Sequence, residues 1–422
     1  MKHCRLVLAA PVLALLLLCD SLAADPAEGS VVTISPDLVL IVDGERVFPI
    51  GFTMPPPPDG RAPNGKNAIE ELRDAGATFL RTGVVGQPWD EAALEQQVKW
   101  LDAAAQHGLH CWVYLRELGS LGPNETRKEA LLRQVVSRLL GHPGLGVWKG
   151  VDEPQWGQQP IEPLVRAYRL IKELDPHHPV AVTHAPRGTV EELQAYTVTA
   201  DITGADIYPI GYPPGAHSLD ANREISMVGD YTRKMKAVAG DRMPVWMILQ
   251  ICWSGVARPG KTLRFPTFPE ERFMTYQAII NGARGLIYFG GHVERGWSPE
   301  DAALGWNWRF WNRVLRPVIE EIGAHSQLYP ALLAPDSRMP VQVTGADDVE
   351  SCVREVGEDL FLLACKREGA TVQVQFSGLA AADGEAEVMF EPPRTAQVKA
   401  GAFSDWFAPF EVHVYRLKRG QG

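Results

Sequence analysis

Residues 146–154 have the sequence Gly-Val-Trp-Lys-Gly-Val-Asp-Glu-Pro, which combines a short apolar run with two adjacent carboxylates. The run has the length and composition of a buried strand, and the proline ends it. Because successive side chains of a strand point to opposite faces, we expect Asp152 and Glu153 to face different ways. A carboxylic acid beside Trp148 and Trp156 is a candidate proton donor. The alternative is that Asp152 caps the next helix and Glu153 is a solvated loop residue.

The composition is that of an ordinary globular protein. The chain has 422 residues, 45% of them hydrophobic and 22% charged, which is enough for one large domain and one small domain. The formal net charge of −10 argues against nucleic acid and against an anionic membrane surface as partners. The 12 tryptophans suit a large core, and some of them suit a sugar-stacking surface.

The N-terminus has the pattern of a targeting segment, and we expect residues 1–24 to be a signal peptide. A basic start and an apolar run over 6–18 precede small-residue cleavage sites at Ala23 and Ala24. A lipoprotein signal at Cys19 is the rival, but a leucine stands before that cysteine where a small residue is expected. No later stretch is long and apolar enough to span a bilayer. We therefore predict a secreted or periplasmic protein with no membrane contact after the leader is removed.

Four cysteines follow the leader. Cys352 and Cys365 lie in one late β-rich segment and could pair across adjacent strands in an oxidising compartment. Cys111 and Cys252 sit within apolar strands, and we predict that they are buried thiols. Neither pair has the spacing of a metal site.

Strand-like and helix-like segments alternate over residues 30–330. Asp43-Gly44 between two alternating runs predicts a hairpin, and eight apolar runs, each followed by helical periodicity, then fill about 280 residues. This is the size and order of a (β/α)8 TIM barrel, an α/β fold. An open doubly wound sheet would need a Gly-rich phosphate turn after an early strand, and the sequence has none. The predicted barrel strands are 49–53, 78–82, 110–114, 146–152, 179–183, 201–208, 244–253 and 285–289.

The pattern changes after Pro335 to short alternating runs separated by Gly and Asp turns. We predict a small all-β sandwich over residues 336–420. The sequence shows no low-complexity linker, so we expect the two domains to pack closely. The predicted strands are 341–344, 349–356, 360–366, 371–376, 386–390 and 410–415.

Several segments follow one another in an order that is typical of a known group of enzymes. They are residues 43–51, Arg81, Glu153, residues 282–289 and residues 405–415. Together they resemble the large clan of (β/α)8 glycoside hydrolases that includes cellulases and β-galactosidases. The resemblance implies that Arg81 lies near a nucleophile, that Glu153 is the acid/base, and that the last segment closes a C-terminal sandwich.

The chain departs from that clan at two positions. Asp152 stands where the clan usually has Asn before its acid/base Glu. Gln250 stands at the end of the seventh strand, where the clan has its nucleophilic Glu. Because a neutral amide cannot attack an anomeric carbon, the standard retaining mechanism does not follow from this sequence.

Glycoside cleavage needs a proton donor and either a nucleophile or a base that activates water. Glu153 suits the donor if apolar walls raise its pKa. Asp206, at the end of the sixth strand, could be the base of an inverting reaction, or it could bind substrate or a rim loop. Asp152 could orient an acetamido group of the substrate, or it could be a hydrogen-bonded rim residue. Glu117 and Glu294 are also within reach, but we expect them to be solvated loop carboxylates.

Other residues at or near strand ends are candidates for substrate binding. For each aromatic side chain among them the alternative is core packing, and Gln250 could instead bond buried backbone. His110, His184 and His292 lack metal-ligand spacing, so we predict no metal and no cofactor. The substrate-binding candidates are Arg81, Tyr114, His184, Tyr208, Gln250, Trp253 and Tyr288.

These observations predict a secreted glycoside hydrolase that acts on an oligo- or polysaccharide with Glu153 as general acid. The alternative is a non-catalytic carbohydrate-binding barrel that has lost its nucleophile. A metal-dependent hydrolase on the same barrel is a third hypothesis. A separation of about 5 Å between Glu153 and a second carboxylate would indicate retention, and roughly 6.5–9.5 Å would indicate inversion. The sugar, the linkage and the oligomeric state do not follow from the sequence.

Overall fold

The computed structural model describes residues 1, 29–84, 86–211, 218–251, 260, 264–290 and 297–420. A three-stranded antiparallel sheet opens the described chain and is followed by a closed barrel of eight parallel strands. The first sheet contains β1 (Val32–Ile34), β2 (Leu40–Val42) and β3 (Glu45–Val47). The barrel strands are β4 (Ile50–Thr53), β5 (Phe79–Gly83), β6 (His110–Tyr114), β7 (Leu145–Asp152), β8 (Val180–His184), β9 (Ile202–Ile207), β10 (Val245–Gln250) and β11 (Gly285–Phe289).

The predicted fold class, a TIM barrel followed by a β-sandwich, is confirmed. The eight strands pair in sequence order, and β11 closes the ring by pairing with β4. The predicted hairpin is present between β2 and β3, where Asp43 and Gly44 both have positive φ, at 50° and 87°. A two-residue turn with both φ values positive matches the twist of the strands that it joins, which explains the Asp-Gly pair.

Helices cover the outside of the barrel. Their ends carry the expected signals: Asn67 caps the first helix with its side chain, and Gly76 ends it in the left-handed conformation with φ 110°. Among the described residues no helix is both long enough and apolar enough to cross a membrane. The helices are α1 (Ala68–Ala75), α2 (Glu91–Gln106), α3 (Thr126–Leu139), α4 (Ile161–Leu174), α5 (Val190–Gln194), α6 (Met227–Ala239), α7 (Phe268–Ile280), α8 (Pro299–Ala303), α9 (Trp308–Phe310), α10 (Arg316–Ile322) and α11 (Tyr329–Leu333).

A layer of large rings fills the lower half of the barrel. The Trp246 ring centroid lies 5.8 Å from that of Phe79 and 5.8 Å from that of Trp112, both in edge-on arrangements. Val32 and Leu40 of the first sheet belong to the same apolar cluster and cover the bottom of the barrel. With the lower half filled, open space begins only at the C-terminal ends of the strands, where barrel enzymes hold their sites.

The C-terminal segment forms two antiparallel sheets that enclose a second apolar core. Two strands, β17 and β18, were not predicted, because they are short and only a tight turn separates them. One sheet has the order β12-β15-β18 and the other β13-β14-β19-β16-β17. The strands are β12 (Gln342–Thr344), β13 (Val349–Val356), β14 (Asp359–Lys366), β15 (Val372–Ser377), β16 (Gly384–Met389), β17 (Thr395–Val398), β18 (Phe403–Phe407) and β19 (Val412–Lys418).

The larger of these sheets packs on α7 of the barrel. Phe273 of α7 contacts Phe410 with ring centroids 5.2 Å apart, and Leu363 and Val414 belong to the same apolar cluster as the barrel helices. Arg272 of α7 donates to the main-chain carbonyl of Val412 at 2.7 Å. The core is therefore continuous from the barrel into the sandwich.

The disulfide that the sequence left open is not formed: Cys352 and Cys365 are both free thiols. Cys352 stands opposite Leu363, and Cys365 stands opposite Glu350, so the two cysteines are diagonal neighbours and not a direct cross-strand pair. Burial raises the pKa of the Cys365 thiol well above its usual value. Cys111 is a buried thiol, as predicted, and Cys252 lies outside the described residues.

Candidate active site

The end of β7 carries an irregularity that brings its polar side chains to one side. Lys149 pairs with Ala181 and Asp152 pairs with Thr183, so three steps on β7 match two steps on β8. This is a β-bulge, and it turns both Lys149 and Asp152 toward the barrel interior. Glu153 follows with φ 46° and lines the same cavity. The prediction that Asp152 and Glu153 face different ways was wrong, because alternation fails at a bulge and after the end of a strand.

A cavity of about 290 Å³ opens at the C-terminal ends of the barrel strands. Aromatic rings form part of its wall: Trp112 lies below, and Tyr208 and Phe289 stack on each other with centroids 5.0 Å apart. The lining residues are Thr53, Arg81, Trp112, Lys149, Asp152, Glu153, Thr183, Asp206, Tyr208, Ile248 and Phe289.

Lys149 and Asp152 form an ion pair within the cavity, with Nζ and Oδ1 2.5 Å apart. The Lys149 side chain is only 3% exposed, whereas 48% of the Asp152 side chain is open to the cavity. The ammonium also lies 4.7 Å from the Tyr114 ring centroid and 5.6 Å from that of Trp112. These contacts compensate part of the cost of burying the charge.

The surroundings of Asp152 keep it ionised. Burial raises the pKa of this carboxyl, but Lys149 and then Arg81 outweigh burial and hold the pKa below its usual value. Burial in turn lowers the pKa of Lys149, and Asp152 opposes that change. Asp152 does not cap the next helix, because α4 begins after Pro160.

Asp206 and Glu153 interact directly, by charge and by a hydrogen bond. Asp206 is 7% exposed, and burial, followed by the charges of Glu153 and Asp152, raises its pKa well above the usual value. Burial also raises the pKa of Glu153. Because neighbouring negative charges disfavour each other's ionisation, the two carboxyl groups titrate together.

Several polar atoms in the cavity wall have no hydrogen-bond partner among the described residues. They are Arg81 Nε, Trp112 Nε1, Thr183 Oγ1 and Asp206 Oδ1. The Arg81 residue is 8% exposed, and its guanidinium lies 5.2 Å from the Tyr114 ring centroid. Buried polar groups are normally paired, so these atoms mark a wall that suits a ligand rich in hydroxyl groups.

Three of the substrate-binding candidates are in or beside the cavity. Arg81 and Tyr208 line it, and Tyr114 stands against Arg81 and Lys149. Trp156, three residues after Glu153, is 51% exposed, with the Arg187 guanidinium 3.9 Å from its ring centroid. By contrast, Trp148 points away from the cavity and donates to Asp175 at 2.8 Å.

Gln250 is fully buried, and its amide holds the main chain of the loop after β9. Its Oε1 accepts from the Ile210 N–H at 2.9 Å, and its Nε2 donates to the Ile210 carbonyl at 3.0 Å. The alternative that we considered for this residue, bonding of buried backbone, describes its place in the structure. Gln250 is not among the residues that line the cavity.

Two other candidates are placed away from the cavity. Tyr288 is fully buried, stacks on Phe52 and shares a hydrogen bond of 2.9 Å with Thr275 of α7. His184 is fully buried beside Tyr196, and burial, followed by the Lys149 charge, lowers its pKa to about 4. Neither side chain is among the residues that line the cavity, because each packs against other parts of the fold. Trp253 lies outside the described residues.

Lys149 is the functional residue that sequence reasoning missed. A signal existed, since a lysine within an otherwise apolar strand must either reach water or find a carboxylate. Thr53, Thr183, Ile248 and Phe289 were also missed, and their types carry no comparable signal. Of the loop carboxylates, Glu117 accepts from the Trp89 N–H at 2.7 Å, and Glu294 lies outside the described residues.

The described residues contain no group of three or more His, Cys, Asp and Glu side chains that could hold a metal ion. His110 and His184 belong to β6 and β8, which are not neighbours in the barrel, and His292 lies outside the described residues.

Comparison with solved structures places the fold among known barrels. A glycoside hydrolase family 5 protein from Bacteroides vulgatus superposes with a TM-score of 0.62 and 14% identity, over 92% of this chain and 93% of its own. A protein described as a glycoside hydrolase gives 0.59 and 12%, over 92% and 97%. An α-amylase from Anoxybacillus gives 0.57 and 9%, over 90% and 100%.

At these identities the likeness shows the fold alone. The chain thus has a barrel and C-terminal β-domain of the kind found in glycoside hydrolases, with a polar cavity at the C-terminal end of the barrel. No protein-family model and no curated protein matches the sequence.

Proposed function

We propose that this protein is a glycoside hydrolase that cleaves O-glycosidic bonds of an oligo- or polysaccharide in the cavity above the barrel. The observation that carries the proposal is the contrast between neighbouring carboxyl groups. Lys149 and Arg81 lower the pKa of Asp152 in the cavity, whereas burial raises the pKa values of Glu153 and Asp206 beside it. Carboxyl groups whose surroundings push their pKa values apart are what acid–base chemistry on a sugar requires.

Glu153 is the general acid in this proposal. It is the more exposed member of the protonated pair, so it can reach the glycosidic oxygen, while Asp206 lies deeper. The Asp206 carboxyl acts through Glu153, since the interaction between the two groups favours a proton on the pair. As the bond to the leaving group breaks, Glu153 donates that proton to the departing oxygen.

Besides a proton donor, glycoside cleavage needs a second group that acts at the anomeric carbon, and Asp152 supplies a negative charge for that role. Its open surface faces the cavity, and its ion pair with Lys149 holds it in place. An ionised carboxylate there can attack the anomeric carbon, activate a water molecule or orient an acetamido group of the substrate. If Asp152 attacks the anomeric carbon, the first-formed product retains the anomeric configuration, whereas activation of water inverts it. If Asp152 orients an acetamido group, turnover requires an N-acetyl group on the substrate.

Turnover of a panel of aryl glycosides and neutral polysaccharides tests the proposal. Glu153→Gln is expected to lower kcat/KM by roughly 10²- to 10⁴-fold, the usual contribution of a general acid. The loss should be smaller for an aryl glycoside whose leaving group needs no proton. Glu162→Gln on the exposed face of α4 is the matched control.

A carbohydrate-binding barrel without hydrolysis is the second candidate. The observation that favours it is Gln250, which ends β10, where the resemblance implies a nucleophilic Glu, and which is bonded to the main chain of Ile210. Saccharide binding with no turnover of any member of the panel would support this candidate and reject the first.

We further propose that the protein is secreted or periplasmic, on the strength of the leader pattern over residues 1–24. Residues 2–28 lie outside the described part of the chain. Expression of the full chain in a bacterial host, followed by N-terminal sequencing of the extracellular or periplasmic product, tests this. A product that begins near Asp25 supports export, and an uncleaved cytoplasmic product contradicts it.

A further inference from the structure

The outer face of the sheet β12-β15-β18 differs from the rest of the surface. Its exposed side chains are all described, and none of them is ionisable, although 22% of the chain is charged. The opposite face of the same strands carries Val374, Phe376 and Phe407, which fill the core of the sandwich. The exposed outer side chains are Gln342, Thr344, Gln373, Gln375, Ser404 and Trp406.

The strand register places these side chains in rows. Thr344, Gln375 and Ser404 lie directly across from one another on the three strands, and Gln373 lies across from Trp406. Because the strands are about 4.8 Å apart, the rows form a platform roughly 10 Å wide. Trp406 is 57% exposed at one edge of that platform.

Ionisable side chains elsewhere in the domain show that only this outer face lacks charge among the described residues compared here. Asp405, next to Trp406 in sequence, points inward and accepts from Arg394 at 2.7 Å and from the Tyr415 hydroxyl at 2.8 Å. On the other sheet, exposed positions carry charges, such as the Arg416–Glu387 pair. The charges of the domain are therefore kept off the platform.

We propose that this platform binds a neutral polysaccharide strand and holds it on the enzyme. An exposed indole offers an apolar face to the C–H groups of a sugar ring, and the amide and hydroxyl rows beside it can donate to and accept from its hydroxyl groups. A platform without charge suits an uncharged glycan and offers nothing to pair with an anionic one. The choice of a saccharide as ligand rests on the proposed function.

Affinity electrophoresis in gels that contain soluble xylan, glucomannan or starch tests the proposal, with polygalacturonate as an anionic comparison. All proteins carry Glu153→Gln so that the polysaccharide is not consumed. Retardation is expected in at least one neutral gel, and Trp406→Ala should weaken the apparent affinity by about tenfold, a factor that corresponds to roughly 1.4 kcal/mol. Phe390→Ala is the matched control, because Phe390 is another exposed aromatic of this domain, at 37%.

Equal retardation of the Trp406→Ala protein would show that the cavity binds the polysaccharide and would overturn the proposal, as would retardation in none of the neutral gels. Self-association that Trp406→Ala abolishes, seen by sedimentation without glycan, would assign the face to a second copy of the chain and would also overturn it. The gels measure binding and not hydrolysis. The platform proposal can therefore be rejected while turnover of aryl glycosides still supports the proposed function. Likewise, the platform can bind polysaccharide even if no glycoside is turned over.

Discussion

The ion pair between Lys149 and Asp152 is the residue-level feature on which the site depends. A fully buried lysine is costly, and here the cost is offset by one carboxylate and two aromatic rings. A hydrophobic residue of similar size would serve the core at least as well. The lysine is therefore best explained by the charge that it confers on the cavity.

Lys149→Met tests that explanation. Removing a buried cation should leave the Tm unchanged or raise it, because the desolvation cost disappears and Asp152 stays open to the cavity. The pKa of Asp152 should rise, so the acidic limb of the kcat/KM–pH profile should move to higher pH, and activity near neutrality should fall about tenfold or more. Lys99→Met, on an exposed face of α2, is the control. A large loss of Tm with an unmoved pH profile would mean that Lys149 is only structural.

The raised pKa of Asp206 predicts how stability depends on pH. A carboxyl whose pKa is higher in the folded state holds a proton that the unfolded chain releases above about pH 3.9. The stability that this proton provides is complete below that pH and is lost as the pH rises toward the raised value. Glu153 shares the proton, so the pair titrates together.

Asp206→Asn removes this titration and should therefore stabilise the protein more at pH 8 than at pH 4.5. The gain can grow by up to about 1.4 kcal/mol per pH unit in the interval between the two pKa values. Thermal unfolding at both pH values measures it, and Asp347→Asn at an exposed position serves as control. The same change in Tm at both pH values would contradict a raised pKa.

At the scale of single elements, β9 and β10 approach each other closely below the cavity. Gly204 of β9 pairs with Trp246 of β10, and a Cβ at residue 204 would lie 1.7 Å from the Trp246 carbonyl oxygen. Backbone cannot move aside as a flexible side chain can. The glycine thus lets β9 carry Asp206 to its position two residues later.

Gly204→Ala should destabilise the protein by about 4 kcal/mol or more, since the strands must separate to admit the methyl group. Urea unfolding gives the magnitude. Gly141→Ala is the matched control, because a Cβ at residue 141 would meet nothing within 4 Å. A loss under about 1 kcal/mol at residue 204 would show that the barrel opens there at little cost.

On the scale of the whole molecule, charges and rings tie the two domains together. Arg367 of the sandwich binds Asp230 of α6 through both terminal nitrogens, at 2.8 and 3.0 Å, and also contacts Glu350 at 3.0 Å. Glu350 in turn pairs with Arg233 of α6 at 2.9 Å. Together with the apolar contact of Phe273 and Phe410, these ion pairs hold the sandwich against the barrel.

We therefore expect a single unfolding transition for barrel and sandwich. Calorimetry of the full chain should give one peak, and its van't Hoff enthalpy should approach the calorimetric enthalpy. A chain that ends at residue 335 should be insoluble, because it exposes the apolar surface of α7. Two separated peaks, or a soluble and folded truncated barrel, would contradict this.

The sequence by itself determined the architecture. Apolar runs of strand length between amphipathic helices allow few arrangements, and every predicted barrel strand coincides with one in the structure to within a few residues. Four residues that the sequence analysis named for the site, Glu153, Asp206, Arg81 and Tyr208, line the cavity at the C-terminal ends of the strands. Arg81 was named from the family resemblance.

Only the tertiary structure decided which side chains reach that rim. Tyr288 and His184 lie at or near strand ends but are not among the cavity-lining residues, whereas Lys149 and Asp152 share the interior because of a bulge. A bulge is set by how two strands register against each other, and the charge state of a carboxyl is set by what surrounds it in space. Strand register and the surroundings of a carboxyl are both set only when the barrel closes. The sequence could therefore name candidate residues, but their contacts and charge states depended on the fold.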